Sequence, residues 1–213
     1  MASIPLKRKD DRKDRGLTGF VEQWGVFLRQ FLKHPGMIGS VIPSSAILVD
    51  RMLEDVDWHR TRLFVEYGPG VGTFTRTILD RLHPDATLLA IDVNPDFVAW
   101  IDSHFDDHRL KVVHGSAADV ARFVAEAGHH QADYILSGIP FSTLPDGVPQ
   151  AIVAATQAAL RPGGAFLVYQ YSARVRRYLT TVFDRIETRV EWRNIPPCRL
   201  FTACREEALA RAA

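Results

Sequence analysis

An alternation in the chain constrains its fold more than any single motif. Apolar, β-rich runs at 62–67, 87–92, 110–114, 133–137 and 165–171 are separated by helical patterns at 73–82, 95–105, 117–127 and 148–160. Strands and helices taking turns, with short connections, predict a parallel sheet covered on both faces. The tail breaks the pattern. Runs at 186–192 and 199–204 flank Asn194-Ile195-Pro196-Pro197, and two strands around a Pro-rich turn predict an antiparallel pair at the sheet edge. The expected architecture is α/β: a seven-stranded, mostly parallel sheet with a C-terminal antiparallel strand pair.

A helical extension is expected ahead of this domain. Residues 1–16 are charged and carry no apolar period, which predicts a flexible arm; 17–58 form the extension and 59–213 the main domain. At about 100° per residue, Leu17, Phe20, Val21, Trp24, Phe27, Leu28, Phe31 and Leu32 fall on one arc. Thr18, Glu22, Gln23, Arg29, Gln30 and Lys33 occupy the opposite face, and His34-Pro35-Gly36 ends the helix. A second short helix is expected after Pro43, with Ser44 or Ser45 as its N-cap.

Charge is unevenly spread. Residues 1–34 hold eight Lys/Arg against four acids, although the whole chain is only +1. A basic end on a mildly acidic body suits an anionic partner, lipid surface or nucleic acid. The helix that follows the arm has two readings. Its Phe/Trp-rich face suits insertion at a membrane interface, and it equally suits packing on the core. Cys198 and Cys204 have no His or Cys cluster around them, so neither zinc nor a disulfide framework is expected. Nothing reads as a signal peptide or a membrane span, which predicts a cytoplasmic, at most peripheral, protein.

The most informative segment is Val65-Glu66-Tyr67-Gly68-Pro69-Gly70-Val71-Gly72, which closes one expected strand and opens a helix. Glycines there let the backbone turn tightly and approach a ligand. A dinucleotide fingerprint would need glycine at 73, where Thr73 stands. The next strand ends in Ala90-Ile91-Asp92, placing a carboxylate at its C-terminal edge. A carboxylate so placed can accept from both hydroxyls of a ribose.

Together Glu66, the three glycines and Asp92 resemble the first two motifs of the class I S-adenosylmethionine methyltransferases, a Rossmann-like family. Leu160-Arg161-Pro162-Gly163-Gly164 is similar to the helix-end turn before that family's fifth strand. The resemblance implies S-adenosylmethionine as cofactor. It puts the methionine moiety on Glu66, Gly68, Gly70 and Gly72, and the ribose on Asp92. The adenine falls near Ser116 and Ala117, although the family's usual acidic residue is absent at 116. Ser45, Val93 and Ser137 are further implied cofactor contacts.

Ser137-Gly138-Ile139-Pro140-Phe141 looks like the N-x-P-[YF] motif of amino methyltransferases, but Gly138 stands where those enzymes place an Asn. The longer run to Pro145 is instead similar to bacterial phospholipid N-methyltransferases of the small, peripheral type. So are Phe31–Ser45, 65–75 and Asn194–Arg199, so the likeness spans about residues 20–205. It implies methylation of phosphatidylethanolamine towards phosphatidylcholine, at an anionic membrane surface contacted by the N-terminal helix. An alkyl amine resembles Lys, with a pKa of about 10.4, and must lose a proton before it attacks. Asp146 is the candidate proton acceptor, and Phe141, Tyr169 and Tyr171 are candidates for an aromatic wall around the growing cation. The alternative is an RNA adenine methyltransferase. The basic arm and the Pro-Phe pair favour it; Gly138, the acidic body and the lack of a separate basic domain oppose it.

Overall fold

The computed structural model describes the backbone of residues 42–194 and 196–206, and side chains from residue 46 onwards. The basic arm and the amphipathic helix expected at 17–33 lie outside the described residues. The chain runs α1 (Ile42–Leu53), β1 (Leu63–Tyr67), α2 (Thr73–Arg81), β2 (Thr87–Asp92), α3 (Pro95–His104) and β3 (Leu110–His114). A 3₁₀ turn (Ala117–Asp119) then leads into α4 (Val120–Glu126) and β4 (Ala132–Ser137). A second 3₁₀ turn (Phe141–Thr143) precedes α5 (Val148–Ala159) and β5 (Leu160–Gln170). A third (Ala173–Val175) precedes α6 (Arg176–Leu179), β6 (Arg185–Glu191) and β7 (Cys198–Cys204).

The seven strands lie in the order β3-β2-β1-β4-β5-β7-β6. The first five are parallel and the β6–β7 hairpin is antiparallel within itself, with β7 antiparallel to β5. All five residues of β1 are buried, as a central parallel strand covered on both faces requires. Its side chains alternate between the two faces. Val65 and Tyr67 join Leu89, Ile91, Ile135, Phe166 and Val168 under α4 and α5, where Phe123, Ile152 and Val153 close the layer. Phe64 joins Leu88, Leu136 and Leu167 on the other face, beneath Leu48, Met52 and Leu53 of α1 and Phe74 and Ile78 of α2.

At the amino edge Asp133 ties three strands together. Its Oδ2 accepts from the backbone N–H groups of Arg62 and Leu63 at 2.8 and 3.0 Å, and its Oδ1 from Arg161 Nε at 2.6 Å. The carboxyl edge is therefore free to carry loops that differ in chemistry.

Two expectations need correcting. α1 begins at Ile42, so Pro43 sits in its first turn and Ser44 and Ser45 lie within the helix, not at its N-cap. Proline is at home in a first turn, where its missing N–H has no intrahelical partner to lose. β5 begins five residues earlier than the apolar run suggests: Leu160 pairs with Ala132 across a register shift, and Gly163 and Gly164 exchange backbone bonds with Arg205.

Candidate active site

The strand order reverses between β1 and β4, the place where an open α/β sheet parts to form a crevice at its carboxyl edge. Gly68, Gly70 and Gly72 cross this edge with φ of +65°, +57° and +85°, a region that side chains resist. Gly72 also cannot carry a Cβ, which would meet the Phe105 ring at 2.5 Å. The chain beyond β4 makes the opposite wall. Gly138 donates its backbone N–H to Tyr67 O at 2.9 Å, and Ile139 donates to Ser137 Oγ at 3.2 Å. Gln170 Nε2, at the end of β5, donates to Ile139 O at 2.7 Å and holds that loop in place.

Between these walls lies a concave pocket that opens to solvent. Gly68, Gly70, Asp92, Val93, Ser116 and Ala117, six of the expected cofactor contacts, all line it. Asn94, Phe97, Ile139, Leu144, Val148 and Ile152 are among the other residues of its largely apolar wall. The sequence reading missed these six and Gln170. Only Asn94 left a signal, as a capping residue before Pro95 and two places after Asp92.

The two expected carboxylates differ in placement. Asp92 is 8 % exposed and accepts from Asn94 N at 2.8 Å. Burial pushes its carboxyl up to about 6, against the lowering effect of backbone donors at Asn94, Gly70 and Val93. Glu66 lies beneath the loop, 3 % exposed, and accepts from Thr75 Oγ1 at 2.7 Å. Burial pushes it up to about 7; the Thr75 bond opposes this and the charge of Asp92 adds to it. Ser137 is fully buried. Ser116 Oγ accepts from Ala118 N at 3.2 Å and starts the 3₁₀ turn on the pocket wall. Ser45 falls in the first turns of α1, ahead of the described side chains.

The four residues expected around the methyl acceptor do not share one wall. The 3₁₀ turn after Pro140 folds Phe141 inward; it is 1 % exposed and packs edge-on against Phe166 at 6.5 Å, a core residue and not part of the pocket lining. Asp146 is exposed in the loop before α5 and does not line the pocket. Tyr171 is 64 % exposed just beyond β5. Tyr169 alone reaches the seam between the two walls. Its ring stacks on Phe74 at 4.8 Å, so that face is already covered. Its hydroxyl would stand 2.5 Å from a Cβ on Gly138. Burial, with Glu66 nearby, raises the phenol above its ordinary value and keeps it protonated.

The residues present fit a nucleoside bearing an amino-acid tail. The pocket offers apolar surface for a base and the Asp92 carboxylate for hydroxyls; Asn94 Nδ2, a buried amide donor in its wall, has no partner. Glu66 supplies a second carboxylate below the loop for a cationic group. Among the described residues no cluster of His, Cys, Asp and Glu could hold a metal ion, and no helix is long and apolar enough to cross a membrane.

Comparison with known proteins identifies the family. A family model described as a methyltransferase domain matches residues 64–164, from β1 into β5. The chain superposes on a Burkholderia thailandensis 1,6-didemethyltoxoflavin-N1-methyltransferase bound to S-adenosylhomocysteine, with a TM-score of 0.62 at 14% identity, covering 97% of this chain and 94% of that one. It also superposes on a T. thermophilus 16S rRNA N2 G1207 methyltransferase in complex with AdoMet and guanosine, with a TM-score of 0.58 at 21% identity, covering 77% of this chain and 43% of that one. The chain is 30% identical over 174 residues to an ornithine lipid N-methyltransferase of Singulisphaera acidiphila, covering 81% of this chain and 91% of that relative. With that relative and the family model together, the chain belongs to the class I S-adenosylmethionine-dependent methyltransferases, and S-adenosylmethionine is its cofactor.

Proposed function

We propose that the chain N-methylates the primary amine of a lipid headgroup at a membrane surface, with phosphatidylethanolamine and its mono- and dimethyl derivatives as substrates on the way to phosphatidylcholine. The observation that carries the lipid reading is the likeness to a lipid N-methyltransferase across almost all of that relative's length. Ornithine lipid is the second reading, favoured by the same relative. Both lipids present an alkyl amine, tetrahedral and basic, and the site suits that chemistry. Gly138 adds no side chain to the acceptor side of the loop, leaving the Tyr169 hydroxyl as the polar group there.

When bound, S-adenosylmethionine supplies an electrophilic methyl group. What the protein adds is position. The glycine loop, Asp92 and Glu66 fix the donor, and Gln170 holds the β4 loop against it. A protonated Tyr169 accepts from the incoming amine without competing for its proton. The amine then loses that proton to water at the open mouth.

The surface reading has its own support. Tyr171 and Trp192, 64 % and 75 % exposed, follow the carboxyl ends of β5 and β6 and so share the edge that carries the pocket. Arg174, also exposed, follows closely, and exposed Arg199 is registered opposite Gln170. Amphipathic aromatics among cations suit a boundary between anionic headgroups and water. The helix at 17–33 would add a second contact on the sequence argument alone.

The test is methyl transfer from labelled S-adenosylmethionine, offered in parallel to vesicles of phosphatidylethanolamine, vesicles of ornithine lipid and unmodified ribosomal RNA. Label in phosphatidylethanolamine is expected. Label in ornithine lipid alone would replace the proposed substrate with the second reading, and label in RNA alone would overturn the lipid reading.

A further inference from the structure

Most arginines of this chain are committed to partners within it. Arg81 meets Asp50 and Arg193 meets Glu191. Arg205 donates to backbone carbonyls at the end of α5, and Arg76 lies over the Phe105 ring. Of the described arginine side chains, only those of Arg174, Arg176 and Arg199 have no acid, carbonyl, hydroxyl or ring as partner. All three are exposed. Scattered over a surface they would mean little, since exposed ion pairs contribute little. They are not scattered.

Arg199 is registered against Gln170, the last residue of β5, so the two side chains share a face of the sheet with Cβ atoms about 5 Å apart. That face is the one beneath α4 and α5, because the next pair along it, Val168 and Phe201, belongs to the core there. Val175, between Arg174 and Arg176, is 1 % exposed and belongs to the same core, which sets the turn carrying both arginines over the same face. This turn packs against the 141–143 turn, which directly follows the pocket-lining Gly138, Ile139 and Pro140. Gln170 reaches the same loop through Ile139 O. The free guanidinium groups therefore gather beside the β4 wall of the pocket, on its solvent side.

Guanidinium groups suit an oxyanion with several acceptor oxygens, and phosphate takes paired hydrogen bonds from them. In phosphatidylethanolamine the phosphate is joined to the amine by a single ethylene bridge, so an amine entering at the β4 loop carries its phosphate just outside. Ornithine lipid has no phosphate to place there. We infer that Arg174, Arg176 and Arg199 form a subsite for the phosphate of the lipid headgroup whose amine is methylated, with the strand-borne Arg199 as its fixed member. The inference rests on the phosphatidylethanolamine reading and adds to it the group that chooses between the two lipids.

The test is steady-state methyl transfer to phosphatidylethanolamine in micelles of an uncharged detergent, where the substrate carries the only phosphate. Arg199→Gln is expected to raise KM about tenfold, the effect of one charge-assisted pair, with kcat within about twofold. Arg174→Gln combined with Arg176→Gln should raise KM at least as far. Arg185→Gln removes an exposed cation from the amino end of β6, away from the pocket, and should leave both constants unchanged. Equal calorimetric affinity of parent and variants for S-adenosylhomocysteine establishes that the variants are folded. A parental KM in both Arg199→Gln and the double variant would overturn the inference and leave the lipid reading standing. A loss confined to co-sedimentation with phosphatidylglycerol vesicles, with KM in micelles unchanged, would also overturn it, making the arginines general contacts for an anionic surface. If the parent itself labels ornithine lipid or RNA and no phosphatidylethanolamine, the substrate reading fails and the subsite with it.

Discussion

Glu66 and Asp92 are carboxyls held where a carboxylate is costly. In an unfolded chain Glu66 titrates near 4.5; buried under the glycine loop it titrates near 7. Between those values the folded protein retains a proton that the unfolded chain has released, so stability falls as pH rises from 4.5 to 7. The size is on the order of 3 kcal/mol. Asp92, raised from 3.8 to about 6, acts in the same direction. Cofactor-free protein should therefore melt at progressively lower temperature across this interval, and Glu66→Gln should make the decline shallower, by ~2–4 °C per kcal/mol removed. A melting curve against pH for both proteins checks this; equal slopes would mean that Glu66 does not carry the proton. Bound cofactor reverses the preference, since hydroxyl and ammonium groups favour the charged carboxylates. Affinity for S-adenosylmethionine should accordingly rise from pH 6 to 8.

At the scale of elements, the site depends on how closely the end of β4 approaches β5. Gly138 lies between Gly68 O, 3.0 Å from where its Cβ would be, and the Tyr169 hydroxyl at 2.5 Å. The Tyr169 ring is stacked on Phe74 and cannot simply swing away. Gly138→Ala should cost about 1–3 kcal/mol as overpacking. Adding Tyr169→Phe should recover part of that loss, because the hydroxyl is the nearer obstacle. Denaturant unfolding of the two single variants and the double variant reads the coupling, and additive losses would mean that the two residues do not press on each other. This contact also marks a limit of what the sequence could tell. Strand and helix periods placed every strand of the sheet, and glycine spacing and one acid per strand end placed the cofactor pocket. They could not say which way a side chain turns in a three-residue 3₁₀ segment, so Phe141 looked like a pocket wall. Nor could they reveal Asn94 as an unpaired donor, since that depends on what surrounds it in space. The short α6, with Arg176 and Arg177 and no apolar period, left no pattern to read.

For the whole molecule, the proposed lipid reading asks how a pocket at one sheet edge would meet a substrate embedded in a bilayer. The exposed Tyr171 and Trp192 lie on that edge, and the Trp24/Phe27 face belongs to the helix expected at 17–33. On the proposed reading, Trp24→Glu combined with Phe27→Glu releases the protein from anionic vesicles and leaves its affinity for S-adenosylhomocysteine within about twofold, as charges on an interfacial helix should. Co-sedimentation with vesicles, beside calorimetry in solution, separates the two effects. Unchanged sedimentation would reassign the helix to the core.

The position of β7 has a consequence for biosynthesis. Although it is the last of the described strands in sequence, it lies inside the sheet, registered against β5 on one side and β6 on the other. Until residues 198–204 have left the ribosome and docked, β5 presents a bare edge with Phe166, Leu167 and Val168 at its centre. An unpaired apolar strand of this kind is a template for joining other chains. A nascent chain stalled or cleaved before residue 198 therefore retains a nearly complete cofactor pocket and an unsealed sheet, and is more prone to aggregate than to act as a smaller enzyme.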